Sequence, residues 1–160
     1  FIIGSRSGAT DVSLLFNTPL LVVNSTTFME SPLGKDDLFI QKKLIDLTGE
    51  IIPFKDIISD SRYYSFDGNK MEHLYGIKYL DNSAEEILDA TIEMHNILNG
   101  NLALNKNQRE LLKRYQNEYC QKNKWSERFT PISINWLEKN YHLYLEDNID
   151  LIGDRNVESQ

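Results

Sequence analysis

Apolar residues come in short unbroken blocks at the start of the chain and at helical spacing further along. Phe1-Ile2-Ile3 is an apolar run closed by Gly4, which predicts a short strand buried on both faces of a parallel sheet. Val12, Leu15 and Phe16 recur at helical intervals and predict a helix over 9–16, stopped by Asn17-Thr18-Pro19. Leu20-Leu21-Val22-Val23 is the next apolar run. Strand, tight loop, helix and strand in this order predict a compact βαβ unit, with parallel strands and a right-handed crossover.

The segment 24–37 has no period and contains Pro32 and Gly34, so it is expected as a loop of functional length. Leu38-Phe39-Ile40 and Glu50-Ile51-Ile52 predict short strands around a turn at Thr48-Gly49, and Pro53 opens a brief helix through Ile58. Residues 59–82 are rich in Tyr, Ser, Asp and Asn and predict no element. Ser83-Ala84-Glu85-Glu86 is a capping box, in which Ser and Glu satisfy reciprocal backbone donors. Ile87, Ala90, Thr91, Met94 and Leu98 follow on one face of that helix, and Gly100 ends it. A second helix is expected over 105–121 with Leu111, Leu112, Tyr115 and Tyr119 inward. A third, over 133–145, places Ile134, Leu137, Tyr141 and Leu145 on one face. The acidic residues after Asp147 are expected to fray.

Composition narrows the function classes. The 160 residues are 41% hydrophobic and 26% charged, the range of ordinary globular domains. A chain this long removes roughly 70% of its unfolded surface from water. A net charge of −7 argues against general nucleic-acid binding and against attraction to anionic lipid. A single cysteine, Cys120, excludes an internal disulfide framework and a Cys-rich zinc site. The run 20–23 is far shorter than the ~20 residues that span a bilayer, and no secretory signal is visible, which suits a soluble cytoplasmic protein. A strand under way at the first residue suggests a C-terminal fragment of a longer polypeptide.

Chemistry concentrates at Gly4-Ser5-Arg6-Ser7-Gly8-Ala9-Thr10, between the first strand and the first helix. A helix N-terminus offers unsatisfied N–H groups and a partial positive charge, and small residues let an anion reach the backbone. Ser5, Ser7 and Thr10 add hydroxyls, and Arg6 adds a guanidinium fork that matches phosphate oxygens. In an open α/β sheet this loop lies at the C-terminal ends of the strands, where ligands bind. Plain helix capping by Ser7 or Gly8 explains the same residues, and from spacing alone the two readings stand even. The pattern is neither the dinucleotide GxGxxG fingerprint nor a Walker A loop.

With the short helix and Thr18-Pro19-Leu20-Leu21-Val22-Val23 behind it, Ser5-Arg6-Ser7-Gly8-Ala9 resembles the C-terminal domain of GT-B glycosyltransferases. It is especially similar to the N-acetylglucosaminyltransferase of peptidoglycan synthesis. In order, "DDLFIQKKL", "GEIIPFKDII" and "NSAEEILDATIEMHNIL" extend the likeness to a family of bacterial surface-polysaccharide glycosyltransferases, over about residues 1–100 and more faintly the helix at 133–145. The resemblance implies a Rossmann-like parallel sheet over 1–104, a helical extension over 105–147, a frayed tail over 148–160 and an acceptor-binding N-terminal domain outside this sequence. It implies transfer of a sugar from a nucleotide-sugar donor to a glycan or lipid-linked acceptor, with no cofactor, and a general base in the missing domain. By resemblance Ser7, Gly8 and Ala9 hold the donor diphosphate, with Arg6 and Thr10 beside them. Those enzymes place a Glu in the first turns of this helix to hold the ribose. Here the stretch is Val12-Ser13-Leu14-Leu15, with Asp11 out of register, so neither a ribose contact nor a uridine base carries over. Nucleotide-sugar 2-epimerases share the Ser-Gly loop, but their Glu pair is absent. The third reading is a non-catalytic α/β module that binds a phosphorylated ligand or a protein.

Ser5, Asn24, Asp37 and Lys42 form a second tier of donor-site candidates, because the segment after the second strand emerges on the same edge. Lys35, Asp36 and Lys43 read as solvated charges. Asp36-Asp37 has no third carboxylate at useful spacing, so no metal site is expected. His95 and His142 read as structural, and nothing positions His73. No Cys/His or His/Asp arrangement for nucleophilic catalysis is visible. Residues 106–128 carry seven basic and three acidic side chains, with Tyr115, Tyr119 and Trp125 interleaved. Peripheral contact with the inner leaflet is one reading of this helix. A solvated helix packed on its own domain is the favoured one, because Glu110, Glu118 and Glu127 interrupt the basic face.

Overall fold

The computed structural model describes residues 1–5, 7–26, 36–57, 68–120 and 131–145. The expected tail over 148–160, and Lys35, Trp125 and Arg6 among the singled-out side chains, lie outside these residues.

The apolar runs form a three-stranded parallel sheet in the order β1-β2-β3, from β1 (Ile2–Gly4), β2 (Leu20–Ser25) and β3 (Leu38–Gln41). Helix α1 (Gly8–Leu15) joins the first two, so the βα unit with parallel strands is present. The fold is therefore mixed α/β. β2 and β3 have neighbours on both sides or faces, and Leu21 and Ile40 are fully buried.

Two expectations need correction here. Among the described residues β1 is an edge strand, and its side chains are not enclosed: Ile2 and Ile3 are 38% and 45% exposed. Nor does α1 bury its aliphatic stripe, since Leu15 and Phe16 are 82% and 75% exposed. The helix instead turns its small polar side inward. Thr10 and Ser13 are buried, and a Cβ at Gly4 would stand 2.8 Å from Thr10 Cγ2. Close approach through small residues has replaced the apolar contact that periodicity suggested. The buried hydroxyl of Ser13 is satisfied by donating to the Thr10 carbonyl at 2.6 Å.

After β3 the chain passes through Lys42 into β4 (Lys43–Ile45), which belongs to a second, antiparallel sheet. Its order is β5-β4-β6, with β5 (Ile51–Ile52) and β6 (Lys78–Leu80). The hairpin around Thr48-Gly49 is thus β4–β5, and 38–41 is not its first strand. Only Leu44 of β4 points fully into the core, too little apolar signal between Lys43 and Asp46 to announce a strand. Asp46 holds the turn, its Oδ1 accepting from the Thr48 hydroxyl and from the amides of Thr48 and Glu50. Gly49 supplies the positive φ of 87° that the turn requires.

Helix α2 (Phe54–Ile57) follows Pro53 as expected. Within 59–82, where no element was expected, lie α3 (Gly68–Tyr75) and β6. Among the α3 residues whose side chains are described, Met71 alone is buried, so no periodic face marks the helix.

Helix α4 (Ala84–Leu98) carries the predicted capping box and ends before Gly100, whose φ is 68°. It packs across β2 and β3. Helix α5 (Lys106–Arg114) has a second capping box, Asn105 with Gln108, and gives way to a π-helical turn, Tyr115–Cys120. The last helix, α6 (Ile134–Asn140), buries Ile134 and Leu137 as expected but stops short of the expected 133–145: a 3-10 turn, Tyr141–Leu143, follows, Tyr141 is half-buried, and Leu145 is buried beyond the turn.

Residues 131–133 return to the free side of β3: Phe39 N–H donates to the Pro131 carbonyl at 3.2 Å and Ser133 N–H to the Phe39 carbonyl at 3.0 Å. The C-terminal aromatics then complete the core. Tyr144 stacks at 4.6 Å from Phe54 and meets Tyr115 edge-on at 5.0 Å. No helix among the described residues is long and apolar enough to cross a membrane.

Candidate functional site at the carboxyl edge of the parallel sheet

Gly4, Ser25 and Gln41 end the three parallel strands on one edge. The start of α1, Asn24 and Lys42 therefore share that edge with Ser5 and Ser7. Ser5, Ser7 and Gly8 are exposed there, and Ala9 lies in the first turn of α1.

The loop holds itself in shape. Ser7 N–H donates to Thr10 Oγ1 at 3.0 Å, the Thr10 hydroxyl donates back to the Ser7 carbonyl at 2.7 Å, and Thr10 N–H reaches the same carbonyl at 2.9 Å. Thr10 is 7% exposed. It shapes the loop from beneath, and its hydroxyl is not presented to solvent.

The glycines divide by cause. Gly4 is needed because α1 approaches too closely for a side chain. Gly8 has no such reason: a Cβ there would meet nothing within 4 Å, and its φ is not in the left-handed range. A glycine at a helix start that neither packing nor backbone requires leaves one face of the first turn bare to an incoming group.

Asn24 sits in a break of the ladder. Val22 is opposite Phe39 but Ser25 is opposite Gln41, so β2 spends one more residue than β3 over this stretch. Asn24 has a φ of 54°. Its N–H donates to Asn82 Oδ1 and Asn82 N–H donates to Asn24 Oδ1, both at 2.7 Å. Asn82 Nδ2 reaches the Gln41 carbonyl at 2.7 Å, and Tyr144 donates to the Gln41 side chain. Asn82 was not foreseen. Its only sequence signal is its place just before the Ser83 cap.

The remaining candidates scatter. Lys42 pairs with Asp81 at 2.5 Å, and its N–H donates to the Ser25 carbonyl at 2.8 Å, so it stands at the edge with its charge matched. Lys43 pairs with Glu86 at 2.8 Å. Asp37 is not brought to this edge. It is 4% exposed at the opposite end of the sheet, where Oδ1 accepts the Leu20 N–H at 2.9 Å. His73, His95 and His142 are all exposed, and the His95 ring lies 3.1 Å from Asn99 Nδ2. On α5, Lys106, Arg109 and Lys113 are exposed, and Arg114 pairs with Glu118 at 3.0 Å. Among the described residues no three His, Cys, Asp or Glu side chains form a group that could hold a metal ion.

Sequence reading also missed a buried carboxylate, Glu93 on α4, which is 2% exposed. It caps α6 from outside: Ser133 Oγ donates to it at 2.7 Å, Ile134 N–H at 2.8 Å and Asn135 N–H at 3.0 Å. Burial raises its pKa above the ordinary carboxylate range, and these three donors offset only part of that. A glutamate in a glutamate-rich helix carries no sequence mark of such a role. Its partners lie some forty positions away.

No protein-family model, no curated protein and no solved structure matches the chain.

Proposed function

We propose that the carboxyl edge of the parallel sheet binds the diphosphate of a nucleotide sugar, and that the polypeptide is a glycosyltransferase whose donor site this chain supplies. The observation that carries the reading is Gly8. It opens α1 at the strand ends, with no steric or conformational reason to be glycine. A diphosphate seated there meets the helix N-terminus, the exposed Ser5 and Ser7, and the Arg6 side chain. The Rossmann-like, GT-B character of the half-domain belongs to the same proposal. It is supported by the parallel β1-α1-β2 unit and by the sequence resemblance.

Chemically, such a loop acts by electrostatics. Thr10 braces the loop from beneath, and the bare first turn of α1 with the Ser5 and Ser7 hydroxyls would face the diphosphate, helping most as negative charge builds on the leaving group. No residue of this loop is proposed as the base that takes the proton from the acceptor hydroxyl; the resemblance assigns that base to the acceptor-binding domain of such enzymes. With the charge of Lys42 matched by Asp81, the helix terminus is the positive element that the described residues of the loop offer.

Isothermal titration with nucleoside diphosphates and nucleotide sugars tests the reading. Saturable binding lost in Gly8→Val, where a branched side chain blocks the bare turn, and weakened in Arg6→Ala supports it. Unchanged affinity in both variants refutes the loop assignment. No binding by any titrant leaves a non-catalytic module as the better description.

A further inference from the structure

We infer that Asn24, clasped by Asn82, is a positioning residue that sets the end of β2 for the ligand of the neighbouring loop; the inference rests on the donor-site reading above. Register locates it. Gly4, the last residue of β1, is opposite Val22, so β2 runs on past the end of β1 and Asn24 lies on the same sheet edge as the loop that leaves Gly4.

Three features converge on this residue. A ladder irregularity of this kind is rare between parallel strands, and where bulges occur they re-aim a strand end. Asparagine enters the left-handed region more readily than other side-chain-bearing residues, and here its surroundings hold it there. The reciprocal amide bonds with Asn82 fix both residues, and Asn82 closes onto β3 through the Gln41 carbonyl. Ladder pairing resumes at once, with Lys42 N–H on the Ser25 carbonyl.

Ending β2 does not require a reciprocal clasp, because an ordinary strand frays into its loop without one. The clasp places one rigid point beside the phosphate loop and ties it to the start of α4 through Asn82 and Ser83. Asn24 Oδ1 is engaged by Asn82, so the residue acts by holding backbone and is not itself a ligand contact by that oxygen. Pre-positioning of this sort strengthens binding by removing loop ordering from its cost.

The experiment titrates UDP, GDP, ADP, CDP and TDP into wild type, Asn24→Gly, Asn82→Ala and the double variant, with Asp37→Asn as control. Glycine keeps the left-handed backbone without strain and removes the Oδ1 that accepts the Asn82 N–H, whereas Asn82→Ala removes the Oδ1 that accepts the residue 24 N–H, so each single variant breaks one half of the clasp. Asp37→Asn perturbs a buried hydrogen bond at the opposite sheet edge. Expected are at least a threefold loss of affinity in each single clasp variant, at least a tenfold loss in the double, where both reciprocal bonds are gone, and affinity within twofold of wild type in Asp37→Asn despite a lowered Tm. Binding lost in Gly8→Val but unchanged in Asn24→Gly overturns the inference and leaves the donor site standing. Equal weakening in Asp37→Asn and Asn24→Gly also overturns it, as general loosening of the sheet. Wild type binding none of the five overturns the donor-site reading, and the inference with it.

Discussion

Replacing Glu93 by alanine is expected to be among the costlier single changes in this chain. The substitution strips the acceptor from one buried hydroxyl and two backbone amides at the start of α6, at 2.7, 2.8 and 3.0 Å in the wild type. Each such group left buried and unpaired costs about 1–3 kcal/mol, and removing a desolvated carboxylate gives part of this back. A net loss of about 2–4 kcal/mol follows, or a fall of roughly 5–15 °C in Tm for a domain of this size. Glu93→Gln keeps the shape and one acceptor oxygen but turns an NH2 toward a donor, so it falls between the two.

The pH dependence carries the sharper test. Burial raises the folded-state pKa of Glu93, with repulsion from Glu138 adding to it. A raised pKa means that the stability contributed by this group is complete below the ordinary carboxylate value of about 4.3 and is lost as pH rises through the raised one. The advantage of wild type over Glu93→Gln is therefore largest near pH 4 and shrinks toward neutrality. Urea unfolding at pH 4, 5, 6 and 7, followed by tryptophan fluorescence, measures the difference directly. An advantage that grows with pH would show that the three hydrogen bonds outweigh burial, and the reasoning would be refuted. A Glu93→Ala variant within 0.5 kcal/mol of wild type, taken as roughly the spread of neutral substitutions, would refute the capping role itself.

Four further outcomes are expected. Gly4→Ala, which forces a Cβ to 2.8 Å from Thr10 Cγ2, should cost about 1–3 kcal/mol. Gly8→Ala, opening into free space, should change stability by less than about 1 kcal/mol and in the stabilising direction, both read from urea midpoints. Phe54→Ala removes a fully buried ring stacked 4.6 Å from Tyr144 and should cost about 3–5 kcal/mol in the same assay. The Thr48 hydroxyl chiefly, with the turn amides, lowers the Asp46 pKa. The hold of Asp46 on the β4–β5 turn is therefore present above the ordinary carboxylate value and lost as pH falls through the lowered one. Amide exchange at Thr48 and Glu50, corrected for intrinsic rates, should accelerate below about pH 3.9.

Local rules carried the sequence reading furthest where a single motif decides the element. The Ser83 capping box, the Gly100 stop and the spacing of Ile134 and Leu137 all correspond to structure at those positions. They failed where tertiary context decides. Val12, Leu15 and Phe16 have a sound helical period, yet α1 packs by Thr10 and Ser13, because Gly4 allows closer approach than a branched side chain would. β4 and α3 each bury essentially one described residue, Leu44 and Met71, so no periodicity could reveal them. At the candidate site, the loop itself was legible from its small polar residues. The clasp partner of Asn24 was not, since Asn82 is distant in sequence and meets it only after β6 returns the chain to the sheet edge. Asp37 looked equivalent to Asn24 in the sequence. The direction of β3 puts it at the other end.

Backbone amide chemical shifts, recorded while a nucleoside diphosphate is titrated into the isotope-labelled chain, test the central claim most directly. The account predicts saturable shifts concentrated at Ser7, Gly8, Ala9 and Asn24, with Asp37 and the α5 amides unmoved. Saturation with the largest shifts anywhere other than the carboxyl edge of β1 and β2, or no shift at Gly8 at millimolar ligand, would contradict it.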